Sequence, residues 1–251
     1  MSIDPRTYEA PSDLLKDRVI LVTGAGRGIG RAAARALAAR GATVILLGRK
    51  VKVLEAAYDE IVAAGHPQPA IFPMNLEQAE DADFTAMAQG IAGQLGRLDG
   101  ILHNAVASFV PAGLEHYKLA EWMAQLRVNL AAPAALTRAC LPLLRQAPDA
   151  AVIMTSDTHA QRPGAFWSGL AISKAGVEML VKIQAEEWDG APGLRINAVV
   201  PGPVHSPQRQ RTHPGEMKDK LAKPEDLLPV YLYLMGPDSL GTTGQVISCQ
   251  A

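Results

Sequence analysis

Short, continuously apolar runs recur along the chain and alternate with longer stretches that read as helices. The runs Arg18–Thr23, Thr43–Leu47, Ala70–Met74, Gly100–His103, Ala151–Thr155 and Leu194–Val200 are expected to be strands, with a last short one at Gln245–Ser248. Between them, Ile29–Arg40, Lys50–Ala64, Ala79–Leu95, Lys118–Arg145 and Trp167–Asp189 predict helices, the fourth of these despite Pro133 and Pro142. Gly41, and Gly65 with Pro67, stop the first two helices. The strands are apolar throughout rather than alternating, so both sheet faces should be covered by helices. Strand and helix in strict alternation predict an α/β fold with a parallel, doubly wound sheet.

Nothing along the chain marks a linker or a repeat, and 251 residues suit one α/β domain spanning 1–251. Residues 1–16 precede the first strand as an N-terminal extension. The segment 203–223, with Pro203, Pro207 and Pro214 among charges, reads as a mobile flap over a cleft rather than a packed element. Hydrophobic residues make up 48% of the chain, which excludes disorder as its dominant state. Lys plus Arg number 24 against 25 Asp plus Glu, so the basic excess of a general nucleic-acid binder is missing. Six His show no metal-ligand spacing, and no metal is expected. Cys140 and Cys249 cannot build a disulfide framework, which suits a reducing compartment. Asp4, Arg6, Glu9 and Asp13 interrupt any signal-peptide core, and no apolar run is long enough to span a membrane; a cytoplasmic location is expected.

The candidate chemistry begins directly after the first strand. Thr23-Gly24-Ala25-Gly26-Arg27-Gly28-Ile29-Gly30 links that strand to a helix. Glycines there let the backbone turn sharply and approach a pyrophosphate, which the N-terminus of the following helix attracts. A glycine string alone is weak, but the strand before it and the helix after it supply the required context. At the end of the second strand, an NAD site would place an acidic residue for the ribose 2′-hydroxyl. Gly48 stands there, followed by Arg49 and Lys50. Arg49, with Arg27, can bind a 2′-phosphate through charge-assisted hydrogen bonds, so NADP(H) is expected over NAD(H).

These motifs, with others further on, resemble the short-chain dehydrogenase/reductase family over almost the whole length. His103-Asn104-Ala105-Val106 is similar to the family's Asn-Asn-Ala-Gly, Asn129 to the Asn of its fourth helix, and Ile196-Asn197-Ala198-Val199-Val200-Pro201-Gly202 to its sixth strand and Pro-Gly turn. Within the family, Asp17–Gly48, Leu98–Asn104 and Leu228–Gly236 resemble a bacterial branch of YciK-like oxidoreductases. The resemblance implies a single-domain Rossmann fold with a seven-stranded sheet, and a homodimer or homotetramer packed through the two long helices. It implies a dinucleotide against Thr23, Gly24, Gly26, Arg27, Gly28, Ile29, Gly30, Arg49, Asn75, Leu76, Asn104, Ala105, Lys174, Pro201, Gly202 and Val204. Asn75 stands where the family often has an Asp, and Val106 replaces a glycine, where a β-branched residue disfavours positive φ. Ser206 is a candidate for touching the carboxamide. His205 reads as a solvated flap residue.

The catalytic segment departs further. The family's Tyr-x-x-x-Lys falls on Leu170-Ala171-Ile172-Ser173-Lys174, so the lysine is present and the tyrosine position is Leu170. The family's Ser-x-x-Gly falls on Asp157-Thr158-His159-Ala160, which puts Asp157 at the serine position, with Ser156 or Thr158 there if the register slips by one. Of the expected catalytic residues, Asn129 and Lys174 remain. Leu170 has no proton to give, and an ionised Asp157 accepts hydrogen bonds only and repels developing negative charge. Three substitutes are open. His159 can shuttle a proton near neutral pH. Asp157 can act itself if protonated. Tyr117, at the start of the long fourth helix, could approach the cleft but more simply packs there. The plain alternatives are a solvent-exposed His159 and an Asp157–Lys174 ion pair that does no chemistry. The expected function is an NADP(H)-dependent oxidoreductase on a small carbonyl or alcohol, with a non-standard acid site and weak ordinary turnover. The alternative is an inactive NADP(H)-binding sensor or interaction protein on the same fold.

Overall fold

The strand Val19–Thr23 (β1) buries every side chain, as its unbroken Val-Ile-Leu-Val-Thr composition requires. It lies at the centre of a sheet seen in a computed structural model that describes residues 3–191 and 193–250. The other strands are Thr43–Gly48 (β2), Ala70–Pro73 (β3), Gly100–His103 (β4), Ala150–Thr155 (β5), Leu194–Val200 (β6) and Val246–Ser248 (β7). All seven run parallel, in the order β3-β2-β1-β4-β5-β6-β7. The chain winds outward from β1 to β3, then returns and winds the other way from β4. A crevice therefore opens between the C-terminal ends of β1 and β4.

Alternate side chains of each strand serve opposite faces. Ile20 and Val22 pack with Val44 and Leu46 under Gly28–Ala38 (α1), Val51–Ala63 (α2) and the C-terminal helix Leu228–Met235 (α8). Leu21 and Ile45 pack with Ile101, Val152 and Ile196 under Asp81–Leu95 (α3), Ala132–Leu144 (α5) and Ser168–Glu187 (α6). The doubly wound α/β architecture is the one expected from the alternation of patterns.

Two stretches differ from the sequence expectation. The helix anticipated over Lys118–Arg145 is Leu119–Leu126 (α4), a wide π-helical turn at Arg127–Ala131, and then α5. Ala132 donates its N–H back to Arg127, and Pro133, with no N–H to donate, follows at once. The C-terminal part holds two helices where none was anticipated. Leu228–Met235 is apolar on every side because it is buried on every side, so no amphipathic period announces it. Within 203–223 lies Pro207–Thr212 (α7), capped by Ser206 Oγ, which accepts from Arg209 N at 3.1 Å. Arg209 is clamped by Glu216 at 2.6 and 2.8 Å, so this segment is not irregular throughout. The N-terminal extension folds back on α8, with Tyr8 edge-on to Tyr233 and its hydroxyl 2.7 Å from Asp238.

At the N-terminal edge of the sheet, opposite the crevice, the Asp149 carboxylate bridges the buried guanidinium groups of Arg18 and Arg195. Arg195 also donates to Ser239 Oγ at 2.9 Å and Gly236 O at 2.7 Å. Replacing Asp149 by Ala leaves two like charges buried and unpaired, a change that typically costs ~3–5 kcal/mol. Urea unfolding of Asp149→Ala should show a loss of that order; a loss below ~1 kcal/mol would mean that solvent or the Gly236 and Ser239 acceptors already neutralise the pair.

Candidate functional site

The crevice between β1 and β4 is the mouth of a cleft of about 590 Å³ that runs along the C-terminal ends of the strands. Its floor is the glycine loop. Gly24 has φ +68, and a Cβ there would lie 2.9 Å from Ala105 Cα. A Cβ on Gly30 would lie 2.3 Å from Gly24 O. Only glycine lets this loop fold so tightly against the end of β4. The helix α1 that follows starts without a side-chain cap, so its first backbone N–H groups are left for an anion in the cleft. Arg27 and Arg49 are exposed on the rim, and neither forms an ion pair among the described residues. Glycine cradle, uncapped helix start and free arginines fit a phosphorylated dinucleotide.

The structure brings most of the sequence-predicted binding residues onto this wall. Gly24, Gly26, Arg27, Gly28, Ile29, Arg49, Asn75, Leu76, Asn104, Ala105, Lys174, Pro201, Gly202 and Val204 all line the cleft. Thr23, Gly30 and Asn129 stand behind it, and their work is to hold it. Thr23 Oγ1 accepts the N–H groups of Asn104 and Ala105 at 3.0 and 3.1 Å. Asn129, turned inward by the π turn, accepts from Ala107 N at 2.7 Å and donates to Ala107 O and Ser173 Oγ, each at 3.0 Å. Val106 lines the cleft with a negative φ, so the backbone penalty expected of a β-branched residue there does not arise. Ser206 lines the cleft beside Gly28, and its hydroxyl oxygen accepts the Arg209 N–H as the cap of α7.

The segment that the family resemblance marks as catalytic is assembled by β5 and α6. Leu170 and Lys174 are one turn apart on the same face of α6, and both line the cleft. Leu170 is 2% exposed, an apolar side chain fixed where the family resemblance sets a tyrosine. Lys174 donates to Thr155 O at 2.6 Å. Burial pushes its ammonium down to about 8, and the Asp157 carboxylate opposes this. Asp157 and Ser156 both line the cleft, but the Ser156 side chain is buried and its hydroxyl donates to Glu178 Oε1 at 2.7 Å, with Gln161 on the other carboxylate oxygen at 3.1 Å. The Asp157–Lys174 ion pair weighed above is not formed. Asp157 pairs instead with His159, accepting its backbone N–H at 2.9 Å and lying 2.7 Å from its ring Nδ1.

No tyrosine lines the cleft among the described residues. The Tyr117 hydroxyl accepts from Gln125 at 3.3 Å and its ring meets Trp122 edge-on, so it packs. Nor can His103 serve, because burial and the charge of Lys174 push it down to about 3 and it is bonded to Thr137 at 2.8 Å. Sequence reasoning missed two neighbours of the site. Trp167 stacks on His159 at 4.2 Å, and His213 stacks on Trp167 at 5.4 Å. Only the fold brings residue 213 to residue 167, so no linear signal pointed to that contact.

The same architecture recurs in known proteins. The family profile for short chain dehydrogenase matches residues 18–216. The chain is 37% identical to the uncharacterised oxidoreductase YciK of Escherichia coli K12 over 245 residues, 97% of this chain and 96% of that one. A Pseudomonas syringae structure classed with the short-chain dehydrogenases is 43% identical and superposes with a TM-score of 0.95 over 100% of both chains. A Shigella flexneri structure of the same class, complexed with NADP, is 36% identical with a TM-score of 0.93, covering 96% of this chain and 100% of that one. Sheet order, glycine cradle and retained lysine thus agree with a match over nearly the whole chain, which belongs to the short-chain dehydrogenase/reductase family of oxidoreductases.

Proposed function

We propose that the protein binds NADP(H) in preference to NAD(H) and acts on a small carbonyl or alcohol, with weak ordinary turnover. The observation that carries this reading is the buried Leu170 beside a retained Lys174 in an otherwise complete dinucleotide cleft. Gly24, Gly26 and the start of α1 would hold the pyrophosphate, Arg27 and Arg49 the 2′-phosphate, Asn75 the adenine, and Asn104, Pro201 and Gly202 the nicotinamide end. When bound, the dinucleotide supplies or accepts a hydride. Lys174 orients the ribose from a charged ammonium held by Thr155 O. Leu170 excludes water but cannot donate to a substrate oxygen, and Asp157 offers only acceptors when ionised. Lost general acid and oxyanion contributions run to ~10²–10⁴-fold and ~10²–10³-fold, which is why the reading is one of slow reduction. A cofactor-binding protein with little turnover is the second reading, and the same Leu170 supports it.

NADPH should bind measurably tighter than NADH by fluorescence titration. Arg49→Ala should weaken NADPH roughly 10-fold or more, with NADH nearly unchanged, since a charge-assisted contact to phosphate is worth ~1.5–3 kcal/mol. Equal affinities in the native protein would remove the preference, and binding of neither would remove the function.

Combining Leu170→Tyr with Asp157→Ser restores both hydroxyls of the family pattern. Carbonyl reduction by the double variant should exceed native by ~10²-fold or more. Native turnover already at that level would contradict the weak-turnover reading.

Affinity for NADPH should also depend on pH through Lys174. Below about pH 8 the ammonium is already charged and binding takes up no proton there. A polyanion beside it raises its proton affinity, so above about pH 8 binding must take up a proton and the affinity falls. Lys174→Met should bind more weakly and flatten that decline; an unchanged pH profile in this variant would exclude Lys174 from the cofactor contact.

A further inference from the structure

We propose that Asp157 and His159 form the proton-donating pair that replaces the family's hydroxyls, with His159 the catalytic acid and Asp157 its positioning residue. This rests on the oxidoreductase reading above and names the group that carries its protons.

The pair is built rather than incidental. Asp157 caps the short helical turn Thr158–Ala160, and the same Oδ1 that takes the His159 backbone N–H lies 2.7 Å from the ring Nδ1. The carboxylate therefore holds the ring with the Nδ1 proton directed at Asp157, and the exchangeable proton resides on Nε2. That nitrogen has no hydrogen-bond partner among the described residues, and the His159 side chain is 19% exposed to the cleft it lines. Gly164 keeps this edge open: a Cβ there would press to 3.2 Å from Cδ2 and 3.5 Å from Nε2.

The ring plane is fixed as well. Trp167 stacks on it with 18° between planes, and His213 of the segment after α7 stacks on Trp167 with 23°. Phe166, just before Trp167, sits in the left-handed region at φ 73, a strained conformation for a bulky residue. Its carbonyl accepts from Ala112 N at 3.2 Å, which ties this turn to the loop between β4 and α4. Strain at that point presents the indole to the imidazole, the kind of over-determined geometry found at working sites.

The step balances without a further reactant. The carbonyl carbon takes up the hydride supplied by NADPH, which is oxidised to NADP⁺. The π pair moves to oxygen, which takes the Nε2 proton of the imidazolium. Neutral His159, with its Nδ1 proton still on Asp157, regains a proton from solvent through its exposed edge. Asp157 stays ionised throughout, so its negative charge stabilises the imidazolium rather than facing the new alkoxide.

The test combines NADPH titration, turnover of a panel of small aldehydes and ketones, and ¹⁵N NMR of the histidine ring. His159→Gln should lower kcat for reduction ~10²-fold or more, with NADPH affinity within about twofold. Added imidazole should restore part of the activity of His159→Ala. In the native protein the neutral ring should carry its proton on Nδ1, and in Asp157→Ala the proton should move to Nε2. Undiminished turnover in His159→Gln, or an Nε2–H tautomer in the native protein, overturns the proposal. So does NADPH binding with no turnover of any carbonyl, which leaves the cofactor-binding reading in place. Failure to bind NADPH removes the hydride source and overturns both.

Discussion

Two hydrogen bonds accepted by the Thr23 hydroxyl oxygen position everything the cleft does. They tie the end of β1 to the first residues after β4, the two strands at which the winding of the sheet reverses. The glycine loop can then lie against Ala105 with no side chain between, and α1 can start on the cleft with free N–H groups. On the other side of the loop after β4, Asn129 performs the matching task, gripping both polar groups of Ala107 from the π turn. The walls are thus set by two buried side chains, Thr23 and Asn129, that stand behind the cleft and hold the backbone lining it, and a buried polar group left unpaired would cost more than either bond contributes.

On that framework the charges at the catalytic end are rearranged rather than deleted. Lys174 is buried, loses part of its preference for the charged form, and keeps its orientation through Thr155 O. Leu170 fills the space beside it with hydrocarbon. The negative charge of Asp157, at the position where the family resemblance sets a serine, would oppose an alkoxide, yet it is directed to an imidazole. Burial of Ser156 on Glu178 also explains why the neighbouring hydroxyl cannot stand in: it is committed to a carboxylate within the fold.

Much was legible in the chain because strand and helix periods, glycine placement and the ends of apolar runs are local properties. The seven apolar runs became strands of one parallel sheet. The glycine loop, Arg49, Asn104 and Pro201–Gly202 came to line one cleft, since βαβ winding delivers every strand's C-terminal end to the same edge. What local pattern could not supply lies at places without a period. α8 is apolar all round, α7 is short and rich in charge, and the π turn is a register shift within a helix whose sequence remains helical.

The residue order alone settled the alternation of elements, the glycine loop between β1 and α1 and the absence of a phenol at the position four before Lys174, because each follows from short-range chemistry. Tertiary structure alone decided which partner Asp157 takes. Sequence offered an ion pair with Lys174 or a protonated carboxyl beside Leu170, and read His159 as a separate candidate on the same loop. Folding sends the lysine ammonium to Thr155 O and turns the imidazole onto the carboxylate, with Trp167 stacked on the ring and His213, from a distant segment, stacked on Trp167. A side chain's charge is written in its identity, but the group it faces depends on how distant backbone segments pack.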